Sequence, residues 1–107
     1  MSTTMKKTHY LDDVISDISR RKANVSCVGR SGLLHVLHEL GFRDKAGKNE
    51  NHRIFTHKEL SSRSGFTTFS VDCGHGMKKT VKPNYSLTVL NVLKKYYEEL
   101  KEIYDER

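Results

Sequence analysis

The apolar pattern of this chain changes period in its middle, and that change restricts the fold more than any other feature. Leu33, Leu34, Leu37 and Leu40 recur at three- and four-residue spacing and run into Gly41-Phe42. They form one stripe on a helix that Ser31 can cap, closed by a glycine suited to a left-handed cap and an aromatic that clasps the last turn. Helical spacing then stops. Phe42 to Lys45 and Arg53 to Lys58, the latter built around Ile54 and Phe55, read as strands on either side of the polar loop Ala46 to Asn51. Phe66 to Asp72 supplies a third, with Phe69 and Val71 on one face. A helix followed by three strands needs an α+β arrangement in which helices cover one face of an antiparallel sheet.

The flanks add helices. Tyr10, Leu11, Val14, Ile15 and Ile18 predict an amphipathic helix over His9 to Lys22, preceded by a polar, frayed Met1 to Thr8 and followed by a connection over Ala23 to Arg30. Glu59 to Gly65 reads as a Ser-rich turn, Cys73-Gly74-His75-Gly76 as a break, and Lys78 to Lys82 as a basic extended segment closed by Pro83. Beyond it, Asn84 or Ser86 can cap a helix carrying Leu90, Leu93, Tyr97, Leu100 and Tyr104 in a stripe of about five turns. A small sheet covers only its first turns, so the acidic last turns are expected to project into solvent or to meet a partner. The order is α-α-β-β-β-α: two helices on one face of a three-stranded antiparallel sheet plus an extra N-terminal helix. Residues 1–29 form the helical extension and residues 30–107 the main unit.

The chain's 107 residues suit one core, and Leu, Ile, Val and Phe supply 26 of them, enough for a small one. No apolar run exceeds two residues, which excludes a membrane span and the apolar segment of a secretory signal. Cys27 and Cys73 lie far apart and belong to no Cys-x-x-Cys pair, so reduced thiols and a cytoplasmic location are expected. The formal charge is +6, yet residues 98–107 hold five acids against two bases, which leaves +9 on the other 97 residues. Such an excess attracts polyanions through counterion release, nucleic acid foremost.

Six histidines offer proton transfer near neutral pH. His9 lies at the frayed end, and His35 and His38 sit off the leucine stripe as solvated residues. His57 alternates with Phe55 and reads as partly buried or paired. His52 differs, because it stands where the polar, basic loop around Lys48 enters a strand. An imidazole there can take a 2′-hydroxyl proton while Lys48, Arg53, Lys78, Lys79 and Lys82 hold phosphates, and His75, between glycines, is a further phosphate contact. No metal or other cofactor enters this chemistry.

Three pieces of the chain resemble, in order, the HicA (YcfA-like) toxins of bacterial type II toxin-antitoxin pairs. They are the helix ending Leu37-His38-Glu39-Leu40-Gly41-Phe42, the segment Asn51-His52-Arg53-Ile54-Phe55-Thr56-His57, and His75-Gly76 followed by Val81-Lys82-Pro83 and a helix. The resemblance covers about two thirds of the chain. It implies a double-stranded-RNA-binding-domain-like α-β-β-β-α fold, metal-independent cleavage of mRNA with the catalytic histidine at His52, and a HicB-like antitoxin as partner. Where the family has Gly-Ser before that histidine, this chain has Glu50-Asn51, which keeps open a non-catalytic RNA-binding module of the same fold. The stripe Leu93 to Tyr104 leaves a protein-interaction module as a third reading, and the helical extension offers a surface for homodimer formation.

Overall fold

A computed structural model describes residues 3–21, 24–30, 32–49, 51–74 and 79–106. Its described elements run α1 (Thr3–Arg20), α2 (Leu33–Glu39), β1 (Arg43–Ala46), β2 (His52–Thr56), α3 (Lys58–Ser64), β3 (Phe69–Asp72), α4 (Pro83–Lys95) and α5 (Tyr97–Asp105). The three strands form an antiparallel sheet in the order β1-β2-β3. Asp44 pairs with Phe55 and Ala46 with Arg53, while Arg53 and Phe55 pair with Val71 and Phe69. Strand alternation puts Asp44, Ala46, Arg53, Phe55, Phe69 and Val71 on one face. On this face Phe55, Phe69 and Val71 are buried, with α2 packed by β1 and α4 by β3. The α+β architecture and the three-stranded antiparallel sheet are as the sequence predicts.

Phe42 sits at the centre of the packing. Its ring makes edge contacts with Phe66, Phe69 and the imidazole of His57 at centroid distances of 5.8, 5.7 and 4.7 Å. It reaches this position because α2 ends as its sequence dictates: Gly41 takes φ +100°, and the Phe42 amide donates to the Leu37 carbonyl at 2.9 Å. The predicted cap residue Ser31 lies outside the described residues, and Gly32 stands at the N-cap position.

Several expectations are corrected. The first helix begins at Thr3, within the stretch expected to fray, and it docks on the rest of the chain. Leu11, Val14 and Ile18 join the common core, Tyr10 stacks on Tyr104 at 5.1 Å, and the Tyr97 hydroxyl donates to Asp12 at 2.6 Å. Asp12 holds the Tyr97 phenol above its ordinary pKa, because ionising it would lose that bond and place two negative charges together.

The Ser-rich turn is instead a helix, α3. His57 caps it and Gly65 closes it at φ +72°. The last helix bends at Tyr96, whose ψ of +27° separates α4 from α5, and starts at Pro83 rather than at a side-chain cap on Asn84 or Ser86. Its acidic turns do not project alone. Arg63 of α3 reaches Glu106 at 2.8 Å and Glu102 at 3.5 Å, and Ser64 donates to Glu99 at 3.0 Å.

The cysteines are the clearest reversal: Cys27 and Cys73 form a disulfide. Both are almost fully buried, so the chain entering α2 is tied covalently to the end of β3. Beside the bond, Cys27 and Val81 amides donate to the Lys79 and Val25 carbonyls at 3.1 and 2.7 Å, an antiparallel bridge through Ser26 and Thr80. No described helix is long and apolar enough to cross a membrane.

Candidate nucleic-acid interface

His52 opens β2 at the mouth of the β1–β2 hairpin. Asn49 organises that turn: its side-chain oxygen accepts from the Asn51 and His52 amides at 2.9 and 3.1 Å, and Gly47 closes it by donating to the His52 carbonyl at 2.7 Å. The imidazole lies against Gly47 so closely that a Cβ there would stand 2.2 Å from its Cδ2. Glycine at position 47 is what lets the ring take this place.

His52 is half-buried and lies on the sheet face opposite Phe55. That face also carries Arg43 and Lys45, both exposed, together with Ile54, Ser70 and Asp72. Lys48 is exposed in the adjacent turn. Arg43 is partly engaged at the end of α2, donating to the Phe42 carbonyl at 2.9 Å. Asp72 is the cross-strand partner of His52, and its carboxylate accepts from the Gly74 amide at 2.9 Å.

The other predicted phosphate contacts divide between places. Arg53 projects to the opposite face from His52, where it donates to Asp44 at 2.7 Å. Lys79 comes to the same end of the sheet from the chain beyond β3, and its ammonium donates to the Asn51 side chain at 3.0 Å. Lys82 is exposed immediately before α4. His75 and Lys78 lie outside the described residues. Thus Lys45 shares the face of His52 and Lys48 lies exposed in the adjoining turn, while Arg53 and Lys79 line the other side.

Two histidines have roles the sequence reading missed or understated. His38, read as solvated, pairs with Asp44, which also holds Arg53, so one carboxylate with an 8% exposed side chain ties α2, β1 and β2 together. Burial pushes the Asp44 carboxyl up, but the hydrogen bonds and positive charge of His38 and Arg53 outweigh it and leave the pKa below the ordinary carboxylate value. Its place six residues after His38, across the Gly41 turn, was the available signal. His57 is buried: its Nδ1 accepts from the Leu60 amide at 3.1 Å, and its Nε2 donates to the Leu40 carbonyl at 2.9 Å. That pair of bonds needs the neutral ring. Desolvation lowers its pKa, against the pull of the Leu40 carbonyl.

Among the described residues, no three His, Cys, Asp or Glu side chains converge as a metal site. Cys27 and Cys73, bonded to each other, do not offer thiolates to a metal. The described geometry provides a positioned imidazole on a face that also carries Lys45, with Lys79 and the Asp44-paired Arg53 on the other side. Compared with protein-family models, with curated proteins and with solved structures, the chain matches none.

Proposed function

We propose that the protein binds RNA and cleaves it without a metal, as the mRNA interferase toxin of a HicA-like toxin-antitoxin pair acting in the cytoplasm. The observation that carries this reading is the seat of His52: a half-exposed imidazole held at a hairpin mouth by Gly47, on a sheet face that carries Lys45 and on which no described residue is buried, with Lys48 in the adjoining turn. A backbone crossing that face meets cations that stabilise its phosphates and a group able to take the 2′-hydroxyl proton. The attack of that oxygen on the adjacent phosphorus breaks the bond to the 5′-oxygen, which leaves with a proton from solvent or the same ring. The helix order around the sheet is compatible with the double-stranded-RNA-binding-domain-like layout, with α1 and α3 as additions. A HicB-like antitoxin would cover the same face.

The test is incubation of labelled RNA with the intact protein and with His52→Ala, both checked for a native spectrum. Cleavage by the first and a loss of at least a hundredfold in the second supports the reading; equal cleavage overturns the role of His52, and no cleavage by either overturns the enzyme. Asp72 favours a second reading, the non-catalytic RNA-binding module. Its carboxylate-bearing side chain shares the face of His52 and opposes a phosphate there. Binding without product, unchanged in His52→Ala, identifies that case.

A further inference from the structure

Behind β2, on the face away from His52, a groove of about 410 Å³ opens between Val28, Leu34 and Ala46 on its apolar side and Asn51, Arg53 and Lys79 on its polar side, with the disulfide in its wall. Among the described residues no carboxylate lines it, and Arg53 reaches it from its pair with Asp44. Lys79 stands out in its backbone as well: among the described residues it alone, apart from glycines, has a positive φ, +46°. L-residues adopt that conformation at a cost, and such outliers gather where a ligand is held. Here the unfavourable backbone delivers an ammonium to Asn51 inside the groove. Across from it Val28 is 46% exposed, an apolar surface beside two cations.

We propose that this groove is a nucleotide subsite, with the phosphate on Lys79 and Arg53 and the base against Val28 and Leu34. The inference rests on the proposed RNA-binding reading and extends it. Asn51 and Arg53 flank His52 in sequence, and side chains alternate across a strand at about 3.3 Å per residue. A single strand passing over this end of the sheet can therefore place one nucleotide in the groove and present its neighbour to His52. The groove would then set which base stands next to the cleaved bond. A volume of this size lies within the range of small-ligand pockets, and mixed apolar and cationic walls suit a base joined to a phosphate better than a bare anion.

The experiment is titration of the isotopically labelled intact protein with adenosine, guanosine, cytidine and uridine 5′-monophosphates, following backbone amide shifts, with inorganic phosphate as the comparison. At least one nucleotide should shift Val28, Asn51 and Lys79 saturably and bind at least tenfold tighter than phosphate. Lys79→Gly, which suits the backbone but removes the cation, should melt within a few degrees of the parent and weaken that binding about tenfold. Val28→Asp, at an exposed position, should do the same. Shifts confined to Lys45, Lys48 and His52, no shifts at all, or equal binding of phosphate and nucleotide would each overturn the subsite. RNA cleavage that needs His52 while the groove stays silent removes this inference and leaves the enzyme; nucleotide binding in the groove without RNA cleavage does the reverse.

Discussion

Breaking the Cys27–Cys73 bond should cost this protein more stability than any single side-chain change outside the core. The two cysteines are 46 residues apart, so the crosslink closes nearly half of the chain into a loop in the unfolded state. By loop-closure entropy that constraint is worth about 4 kcal/mol at 25 °C. For a chain of 107 residues with an unfolding entropy of about 2.1 cal/mol/K per residue, the loss corresponds to a fall in Tm of about 18 °C. Against a total of about 5–15 kcal/mol for a domain, the reduced protein should still fold. Its sulfurs are buried among apolar groups, where a free thiol packs as a small apolar side chain. The assay is thermal and urea unfolding of the oxidised protein, the protein in excess reductant, and Cys27→Ala/Cys73→Ala. Reduced and double-variant proteins should unfold cooperatively at a similar, much lower midpoint than the oxidised one. A shift under about 3 °C would refute the entropy argument, and so would complete loss of structure in the double variant. The proposed cytoplasmic role adds a demand, because reducing conditions there favour thiols: cleavage at a temperature where both forms are folded should survive reduction.

Other expectations follow from individual contacts. The His57 pKa is depressed on folding, so the unfolded state binds more protons below the ordinary value near 6.5; stability should be full above that pH and decline as pH falls through it, by at most about 1.4 kcal/mol per pH unit, with the slope absent in His57→Gln by urea unfolding from pH 7.5 to 5. Gly41→Ala should destabilise by about 2 kcal/mol or more in the same assay, because φ is +100° and the new Cβ would stand 2.6 Å from His57 Nε2. Asp44→Asn leaves Arg53 and His38 without their shared anion and should cost about 1–3 kcal/mol at pH 7. Since the Asp44 pKa is lowered, its contribution persists above the ordinary carboxylate value near 3.8 and is lost only as pH falls through the folded value, so Asn and wild type should converge in acid.

The elements that the sequence disclosed are those whose signal is local. The leucine stripe of α2, the Gly41-Phe42 ending, and the hairpin around Ile54 and Phe55 each carry their period and their breaker within a dozen residues. Helix α3 was hidden because only Leu60 in Lys58–Ser64 is buried and apolar. Its cap is a histidine, a residue outside the usual Ser, Thr, Asp and Asn set, although Gly65 did mark its end. The bend at Tyr96 has no breaker in its sequence, and the stripe runs through it. Docking of α1 and of the acidic turns depends on Tyr97 meeting Asp12 and on Arg63 meeting Glu106, partners 85 and 43 residues apart. The disulfide is likewise a product of the tertiary fold, which brings together two cysteines with no diagnostic spacing. At the candidate site, the position of His52 at a hairpin mouth was legible. The division of His52 and Arg53 between opposite faces required the register of β2, and Gly47 became significant only once the imidazole lay over it.

The seat of that imidazole is tested most directly by single-turnover cleavage of an end-labelled RNA in a chelator, read at nucleotide resolution with the intact protein, Gly47→Ala and His52→Ala. A Cβ at position 47 must displace the His52 ring without removing it. The account predicts products ending in a 2′,3′-cyclic phosphate, a rate reduced in Gly47→Ala, and a rate at least a hundredfold lower in His52→Ala. Cleavage by all three proteins at the same rate, or no cleavage by the folded parent protein, would contradict it.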